Sequence, residues 1–212
     1  MDNGNLGQWI KPVLLKQRVI TKLQKEFTAG NPFRHILIAD FLKQGKNELL
    51  LKELKKENFY RKEADLFKLS QTQELRYTKN KLLQSFYALF ASAEFRDFIA
   101  SMTGIKLKDS IDMSGALYQD TDYLLCHDDQ LSGRKIAYIF YLSAGFTEKD
   151  GGALVFFRAK KRSSKLMPGD AAKQYTPKAN SLMLFEVSPI SFHEVAENVS
   201  NKNRYTIGGW LH

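Results

Sequence analysis

The second half of the chain alternates short apolar segments with turn residues, and this pattern limits the possible folds more than any other feature. Turn sequences occur at residues 132–133 (Ser-Gly), 150–152 (Asp-Gly-Gly), 168–170 (Pro-Gly-Asp) and 188–189 (Ser-Pro). The apolar segments between them are residues 111–118, 123–126, 135–142, 153–157, 181–186 and 205–211. Short strands at this spacing predict an antiparallel sandwich or jelly roll, and they argue against a parallel sheet with crossover helices.

The first half of the chain has a different pattern, which predicts helices. Apolar residues recur at steps of three and four after Pro12, a residue that the first turn of a helix tolerates, and Gly30 ends this segment. A short strand is predicted at residues 35–38. Further helices with a broad apolar side are predicted at residues 47–58 and 79–102.

Composition and length indicate one globular domain. The chain has 212 residues, of which 43% are hydrophobic and 26% charged. Helices followed by strands predict an α+β domain over residues 1–212, in which residues 1–104 brace a jelly-roll core at residues 105–212. The single cysteine, Cys126, excludes a disulfide framework and a cysteine-rich zinc site.

Two further features predict where the protein resides. The longest apolar run, residues 136–142, is far too short to span a membrane. The first twelve residues contain no apolar segment of the kind that directs export. We therefore expect a soluble protein of the cytoplasm or the nucleus, with no membrane partner.

Positive charge is unevenly spread along the chain. The net charge is +9, with 18 basic and 11 acidic residues in 1–104 against 14 and 12 in 105–212. The segment 158–180 is long for a loop and begins with the sequence RAKKRSSK, which predicts a mobile flap. These cations could steer RNA or a ribosomal substrate to the protein, or they could simply form a solvated surface. The absence of aromatic residues from 158–165 argues against base stacking.

A His-x-Asp motif is the first candidate for chemistry. Alternate side chains of a strand point to the same side, so we expect His127 and Asp129 to share one face. An imidazole and a carboxylate are two of the three ligands in the 2-His-1-carboxylate triad that binds ferrous iron. His193, which follows the apolar sequence SLMLFEVSPISF, is available as the third. The alternative is that each histidine is a hydrogen-bonded structural residue, which is common for a single histidine in a strand.

An arginine at the start of the last apolar segment is the second candidate. Arg204 begins the sequence RYTIGGWL, and a buried arginine is costly unless it is paired. The far carboxylate of 2-oxoglutarate would suit its rigid fork, although an ordinary pair with Asp or Glu is the alternative. Tyr118 and Tyr141 lie in flanking segments, where they could donate hydrogen bonds to the same carboxylate or could be core aromatics.

Three long strings give the sequence a resemblance to a known family. They are ALYQDTDYLLCHDDQLSGRKIAYIFYL, GGALVFF and LFEVSPISFHEVAENVSNKNRYTIGGWLH, and the part of the chain that precedes them, from PFRHILIADFL onward, adds to the resemblance. From about residue 32 to residue 212, the chain resembles the catalytic domain of the ribosomal prolyl-3-hydroxylases. These are 2-oxoglutarate and iron-dependent oxygenases that hydroxylate a proline of a small-subunit ribosomal protein.

The resemblance implies a fold, a set of cofactors and a role for each candidate residue. The implied fold is a double-stranded β-helix, and the implied cosubstrates are 2-oxoglutarate and O2, with L-ascorbate as a support. The implied Fe(II) ligands, which are also the catalytic residues, are His127, Asp129 and His193. The implied 2-oxoglutarate-binding residues are Arg204, Tyr118 and Tyr141. Members of this family usually carry a second, catalytically silent β-helix domain, and we expect that domain to be absent from this chain.

Two other functions remain open at the level of the sequence. The same fold could be a non-catalytic module that binds RNA or the ribosome through its basic first half. It could also be a 2-oxoglutarate oxygenase that acts on a different protein residue or on a small molecule.

Overall fold

The structure is a computed structural model that describes residues 4–131 and 133–212. Residues 1–3 of the N-terminal segment and Ser132 of the predicted Ser-Gly turn lie outside the described residues. The helices are α1 (Gly4–Trp9), α2 (Gln17–Thr28), α3 (Lys46–Leu54), α4 (Lys81–Ala91) and α5 (Ala93–Thr103). The strands are β1 (His35–Ile38), β2 (Tyr60–Ala64), β3 (Phe67–Gln71), β4 (Ile111–Tyr118), β5 (Tyr123–His127), β6 (Ile136–Tyr141), β7 (Leu154–Arg162), β8 (Lys165–Tyr175), β9 (Ser181–Glu186), β10 (His193–Val195) and β11 (Arg204–Leu211).

The long helix predicted at residues 79–102 is two helices, α4 and α5. The break falls at Ser92, whose backbone is extended and whose Oγ accepts a hydrogen bond from the Phe95 amide. Serine at this position caps a new helix, because its oxygen satisfies an amide that has no partner in the first turn. Similarly, the segment after Pro12 divides at Lys16 into a short 3-10 turn and α2.

The strands form one antiparallel sheet that curls into the predicted jelly roll. Its order is β1-β9-β6-β11-β4-β3-β5-β10-β7-β8, with β2 paired to β3. The strand β3 pairs with both β4 and β5, so it joins the two layers of the curled sheet. The expected double-stranded β-helix is confirmed, and β1, β2 and β3 show that the first half of the chain also contributes strands to the sheet.

The sheet separates two hydrophobic clusters, and β6 contributes to both. Phe140 of β6 packs among the helices with Phe86, at a ring-centroid distance of 5.6 Å. Tyr141, the next residue, packs in the interior of the curled sheet. Both faces of β6 are therefore buried, which explains its continuous apolar sequence. In the described residues, no helix is long and apolar enough to cross a membrane.

The prediction of a mobile flap at residues 158–180 is wrong for most of that segment, which forms strands. Residues of β7 and β8 pair in a long antiparallel hairpin from Leu154 opposite Tyr175 to Arg162 opposite Lys165. The high charge of the segment suggested a loop, but the ladder of main-chain hydrogen bonds requires no apolar side chains. The hairpin of β2 and β3 was missed for the same reason, since every residue of β2 is exposed.

Candidate active site

The two histidines of the site lie directly opposite each other. His127 ends β5 and His193 begins β10, and the two residues are paired across these strands with ring centroids 4.2 Å apart. Nδ1 of each ring lies 2.8 Å from a main-chain oxygen two residues earlier, that of Leu125 for His127 and that of Ser191 for His193. These carbonyls accept hydrogen bonds from Nδ1, so Nε2 is the atom of each ring that remains for other contacts. Such contacts fix the tautomer and orientation of a histidine that binds metal.

Asp129 joins the histidines, but not for the reason predicted from strand alternation. The strand ends at His127, and Asp129 lies in the following loop with a left-handed backbone, at a φ of 61°. This turn brings Oδ1 to 3.4 Å from Nε2 of His127 and Oδ2 to 3.3 Å from Nε2 of His193. One ligand atom from each residue lies within 4.8 Å of the others, so the three side chains can hold a single metal ion.

The charges of the cluster shift two pKa values in opposite directions. Burial raises the pKa of Asp129, but hydrogen bonds from both histidines outweigh it and hold the pKa well below its usual range. Burial lowers the pKa of His127, but the hydrogen bond and charge of Asp129 outweigh this effect and raise it. Asp129 is therefore ionised at neutral pH, and a metal ion would compete with a proton for His127.

Arg204 lies deeper in the curled sheet and has no anionic partner among the described residues. It is 1% exposed, and its Nε and Nη2 atoms are buried without a hydrogen-bond acceptor. The predicted alternative, an ordinary ion pair with Asp or Glu, is therefore not observed in residues 4–131 and 133–212. A buried guanidinium with unused donors is strongly unfavourable unless a ligand supplies the acceptor.

The two predicted tyrosines flank Arg204. Its guanidinium carbon lies 4.8 Å from the ring centroid of Tyr118 and 5.3 Å from that of Tyr141. Strand register explains this, because Tyr118 is opposite Arg204 on β4 and Tyr141 is opposite Thr206 on β6. Burial raises the pKa of Tyr118 to about 12 and also raises the pKa of Tyr141, so both phenols keep their protons. The Tyr141 hydroxyl is buried without a partner, whereas Tyr118 contributes a ring face.

Gly152 makes room for Arg204. A Cβ atom at Gly152 would lie 3.1 Å from Cδ of Arg204, and its φ of 66° is left-handed. The sequence motif Asp-Gly-Gly predicted a turn here, which is correct, but it gave no sign of this contact. Gly152 therefore helps to position the guanidinium.

One cavity of about 340 Å³ connects the His-Asp-His cluster with Arg204. Such a volume lies in the range of small-molecule sites. The cavity is lined by His127, Asp129, His193, Arg204 and Tyr118, and its other walls are mainly apolar. All six predicted site residues are thus in one region, with Tyr141 packed beside Arg204.

Several lining residues were missed by the sequence analysis. The Trp210 ring stacks with Arg134, whose guanidinium carbon is 3.3 Å from the ring centroid and whose Nη1 is 3.8 Å from Asp129. Strand alternation could have found Trp210, because it lies six residues after Arg204 on β11. Gln71 donates to Ser114 Oγ at 2.6 Å on the opposite wall, and its highly polar hairpin carried no usable signal.

Comparison with known proteins places this site in a class. Residues 113–212 match the family model of the 2OG-Fe(II) oxygenase superfamily. The matched residues contain the whole His-Asp-His cluster and Arg204.

Curated relatives are prolyl hydroxylases. The chain is 38% identical to prolyl 3-hydroxylase OGFOD1 of Xenopus laevis over 187 residues, which are 85% of this chain and 35% of that protein. It is 32% identical to prolyl 3-hydroxylase sudestada1 of Drosophila melanogaster, over 98% of this chain and 40% of that protein. The predicted resemblance is confirmed. The chain spans about two fifths or less of the length of the curated relatives that it matches.

Solved structures share the fold at low sequence identity. A Pseudomonas putida prolyl-4-hydroxylase superposes with a TM-score of 0.69 at 19% identity, over 90% of this chain and 98% of that one. A Trichoplax adhaerens prolyl hydroxylase gives a TM-score of 0.68 at 15% identity, over 95% and 93% of the two chains. These likenesses support the double-stranded β-helix.

The residues present fit the Fe(II) and 2-oxoglutarate for which the superfamily is named. Two imidazoles and one carboxylate on one side of an ion are the ligand set of non-haem Fe(II) oxygenases, and they leave other coordination positions open. The unused donors of Arg204 and the Tyr141 hydroxyl fit the carboxylate of a dicarboxylic acid.

Proposed function

We propose that this chain is an Fe(II)- and 2-oxoglutarate-dependent dioxygenase that hydroxylates C3 of a prolyl residue in a small-subunit ribosomal protein. One observation supports this proposal above all others. A metal-ligand cluster and a buried arginine without an anion share one cavity of about 340 Å³. A dicarboxylic acid that binds a metal at one end and a cation at the other would satisfy both.

We assign a role to each side chain of the site. His127, Asp129 and His193 would hold Fe(II), and Arg204 would bind the far carboxylate of 2-oxoglutarate with a hydrogen bond from Tyr141. When bound, Fe(II), 2-oxoglutarate and O2 together supply an oxidative decarboxylation that yields succinate and CO2 and hydroxylates a C–H bond. The apolar walls would exclude water from the reacting groups, and the Leu125 and Ser191 carbonyls would keep the imidazoles oriented.

The substrate class is supported by the names of the relatives. Proteins of Xenopus laevis, Mus musculus and Drosophila melanogaster are named prolyl 3-hydroxylases, which makes a prolyl residue the leading candidate. A relative in Ostreococcus tauri is named a prolyl 3,4-dihydroxylase, so the number of hydroxyl groups added needs its own measurement. Residence in the cytoplasm or the nucleus would suit a ribosomal substrate and stays a prediction.

The test is incubation of the protein with peptides that tile the small-subunit ribosomal proteins. We expect one peptide to gain oxygen at proline by mass spectrometry, with succinate formed in equal amount. The gain should vanish when 2-oxoglutarate is omitted or when the protein is first dialysed against a chelator, and Fe(II) should restore it. NMR of the product peptide would locate the new hydroxyl group.

Two outcomes would contradict the proposal. Turnover of 2-oxoglutarate that responds only to a small molecule or to a residue other than proline would favour an oxygenase with another substrate. Failure to bind either Fe(II) or 2-oxoglutarate, by calorimetry under nitrogen, would favour a non-catalytic binding module.

A further inference from the structure

The outer part of the β7–β8 hairpin projects beyond the rest of the sheet. At its base, Leu154 to Phe156 of β7 pair with β10 as well as with β8. Beyond Phe157, whose amide donates to the Phe192 carbonyl, β7 has only β8 as a partner among the described residues, and β8 is the outermost strand. The outer hairpin is therefore a two-stranded ribbon with solvent on both faces.

This ribbon carries charge of almost one sign. Its cations are Arg158, Lys160, Lys161, Arg162 and Lys165, and all five are exposed. Its only acidic residue is Asp170, which lies 2.9 Å from Lys160. In the part of the chain that the structure describes, Lys160 is the only one of these cations with an ion pair. Four cations are thus available for an external partner.

Protection of strand edges does not account for this charge. Exposed strand edges are often protected from aggregation by a lysine, a proline or an irregularity. Here Pro168, which has no amide hydrogen to offer another strand, already lies within β8, and the ladder shifts register on both sides of Phe157. Protection would be served equally well by charges of mixed sign, whereas a field of one sign favours an anionic partner.

We propose that the outer β7–β8 hairpin is a docking arm for RNA, which it would bind through the phosphate backbone. Three of its five cations are lysines, a residue that is depleted in protein interfaces but common in phosphate contacts. Residues 158–174 contain no aromatic side chain on which bases could stack, so sequence-independent backbone contact is the expected mode. The choice of RNA rests on the proposed function, since a ribosomal protein lies beside ribosomal RNA.

The test measures the affinity of the protein for a fluorescent single-stranded RNA at several salt concentrations. The RNA has about a dozen nucleotides, which lies within the roughly 4–16 nucleotides of common single-strand sites. The variant combines Lys161→Gln, Arg162→Gln and Lys165→Gln, which remove three exposed cations. Each lost phosphate contact lowers the salt slope by about 0.7, so we expect a decrease of about 2 and an affinity loss on the order of 100-fold at 0.1 M salt. The matched control combines Arg18→Gln, Lys22→Gln and Lys25→Gln on exposed positions of α2, and it should retain most of the affinity.

The remaining outcomes would overturn the inference. Equal losses of RNA affinity in the two triple variants would show that RNA responds to the overall positive charge of the protein and not to the hairpin. Tighter binding to polyglutamate than to RNA would identify an acidic protein as the partner. Absence of RNA binding by the unmodified protein at 50 mM salt would also exclude the arm. Turnover of 2-oxoglutarate is measured on the same samples, so that a failure of the proposed function is seen separately. Lys161→Arg with Lys165→Arg should preserve RNA binding, which separates charge from folding.

Discussion

The two ends of the cavity are built in different ways. At the metal end, a left-handed turn places Asp129, and main-chain carbonyls orient His127 and His193. At the anion end, strand register places Arg204 opposite Tyr118. The metal end therefore depends on a loop, whereas the anion end is fixed in the middle of the sheet.

The two ends also differ in how far the protein satisfies its own polar groups. Asp129 contacts both imidazoles, so the polar side chains of the metal end have partners within the chain. At the anion end, two nitrogen atoms of Arg204 and the Tyr141 hydroxyl have no partner among the described residues. A buried donor without an acceptor costs about 1–3 kcal/mol, and more when it is charged. The comparison indicates that the anion end, unlike the metal end, leaves a charged side chain without a partner until a ligand binds.

The largest expected effect comes from breaking the metal end. Asp129→Ala removes the carboxylate that faces both imidazoles. Substituting a residue that merely contacts a metal ligand typically lowers activity by roughly 10–100-fold, and we expect 2-oxoglutarate turnover to fall by more than this. The control is Asp128→Ala, because that carboxylate accepts from the Gln130 amide and lies outside the cluster. Decarboxylation assays and Mn(II) binding would measure the two variants. Equal activity of Asp129→Ala and the unmodified protein would refute the assignment.

The next effect separates the two ends. Arg204→Met roughly keeps the volume of the side chain but removes its hydrogen-bond donors. Breaking a buried ion pair costs about 3–5 kcal/mol, so we expect the affinity for 2-oxoglutarate to fall about 100-fold or more. The thermal midpoint of the ligand-free protein should not fall, because the variant removes an unpaired buried charge. Calorimetry and thermal unfolding test the two halves of this prediction. A destabilised ligand-free protein with normal 2-oxoglutarate affinity would contradict it.

A smaller effect distinguishes the two tyrosines. Tyr141→Phe removes a buried hydroxyl that has no partner, and we expect a loss of about tenfold in 2-oxoglutarate affinity, near 1.5 kcal/mol for a hydrogen bond to a charged group. Tyr118→Phe keeps the ring face that contacts Arg204, so its loss should be less. Titration of both variants with 2-oxoglutarate measures the difference. The reverse order would assign the hydrogen bond to Tyr118.

The smallest effect tests how tightly the anion end is packed. Gly152→Ala and Gly145→Ala both place a side chain on a left-handed backbone, which costs about 1–2 kcal/mol of stability in each case. Only the methyl group added at Gly152 would press on Arg204, because nothing lies within 4 Å of a Cβ at Gly145. We expect KM for 2-oxoglutarate to rise a few-fold in Gly152→Ala alone. Equal KM values in the two variants would show that Arg204 has freedom to move.

The sequence predicted the strands better than the polar hairpins. The bounds of β4 and β9 were predicted to the residue, because both strands carry apolar side chains that pack in a core. The β2–β3 and β7–β8 hairpins are rich in exposed charge, and their stability comes from main-chain pairing that has no side-chain pattern. Periodicity reports burial, so it fails where a strand has no buried face.

At the site, the identities of the residues were easier to predict than their geometry. His127 and Asp129 were expected to meet through strand alternation, but the left-handed backbone of Asp129 achieves the contact. A positive φ at a residue other than glycine leaves little trace in a sequence, although aspartate tolerates it better than most residues. The role of Gly152 was also out of reach, since the contact with Arg204 joins residues far apart in the chain.

The position of β11 has a consequence for biosynthesis. Although it follows the ten other described strands along the chain, β11 lies in the interior of the sheet, hydrogen-bonded to β6 and β4 on its two sides. Until it has left the ribosome, the nascent sheet has a gap between β6 and β4 and cannot enclose the cavity. Because such distant pairings are slow to form, the newborn chain exposes its unpaired strands longest at this step, when chaperones would protect it most.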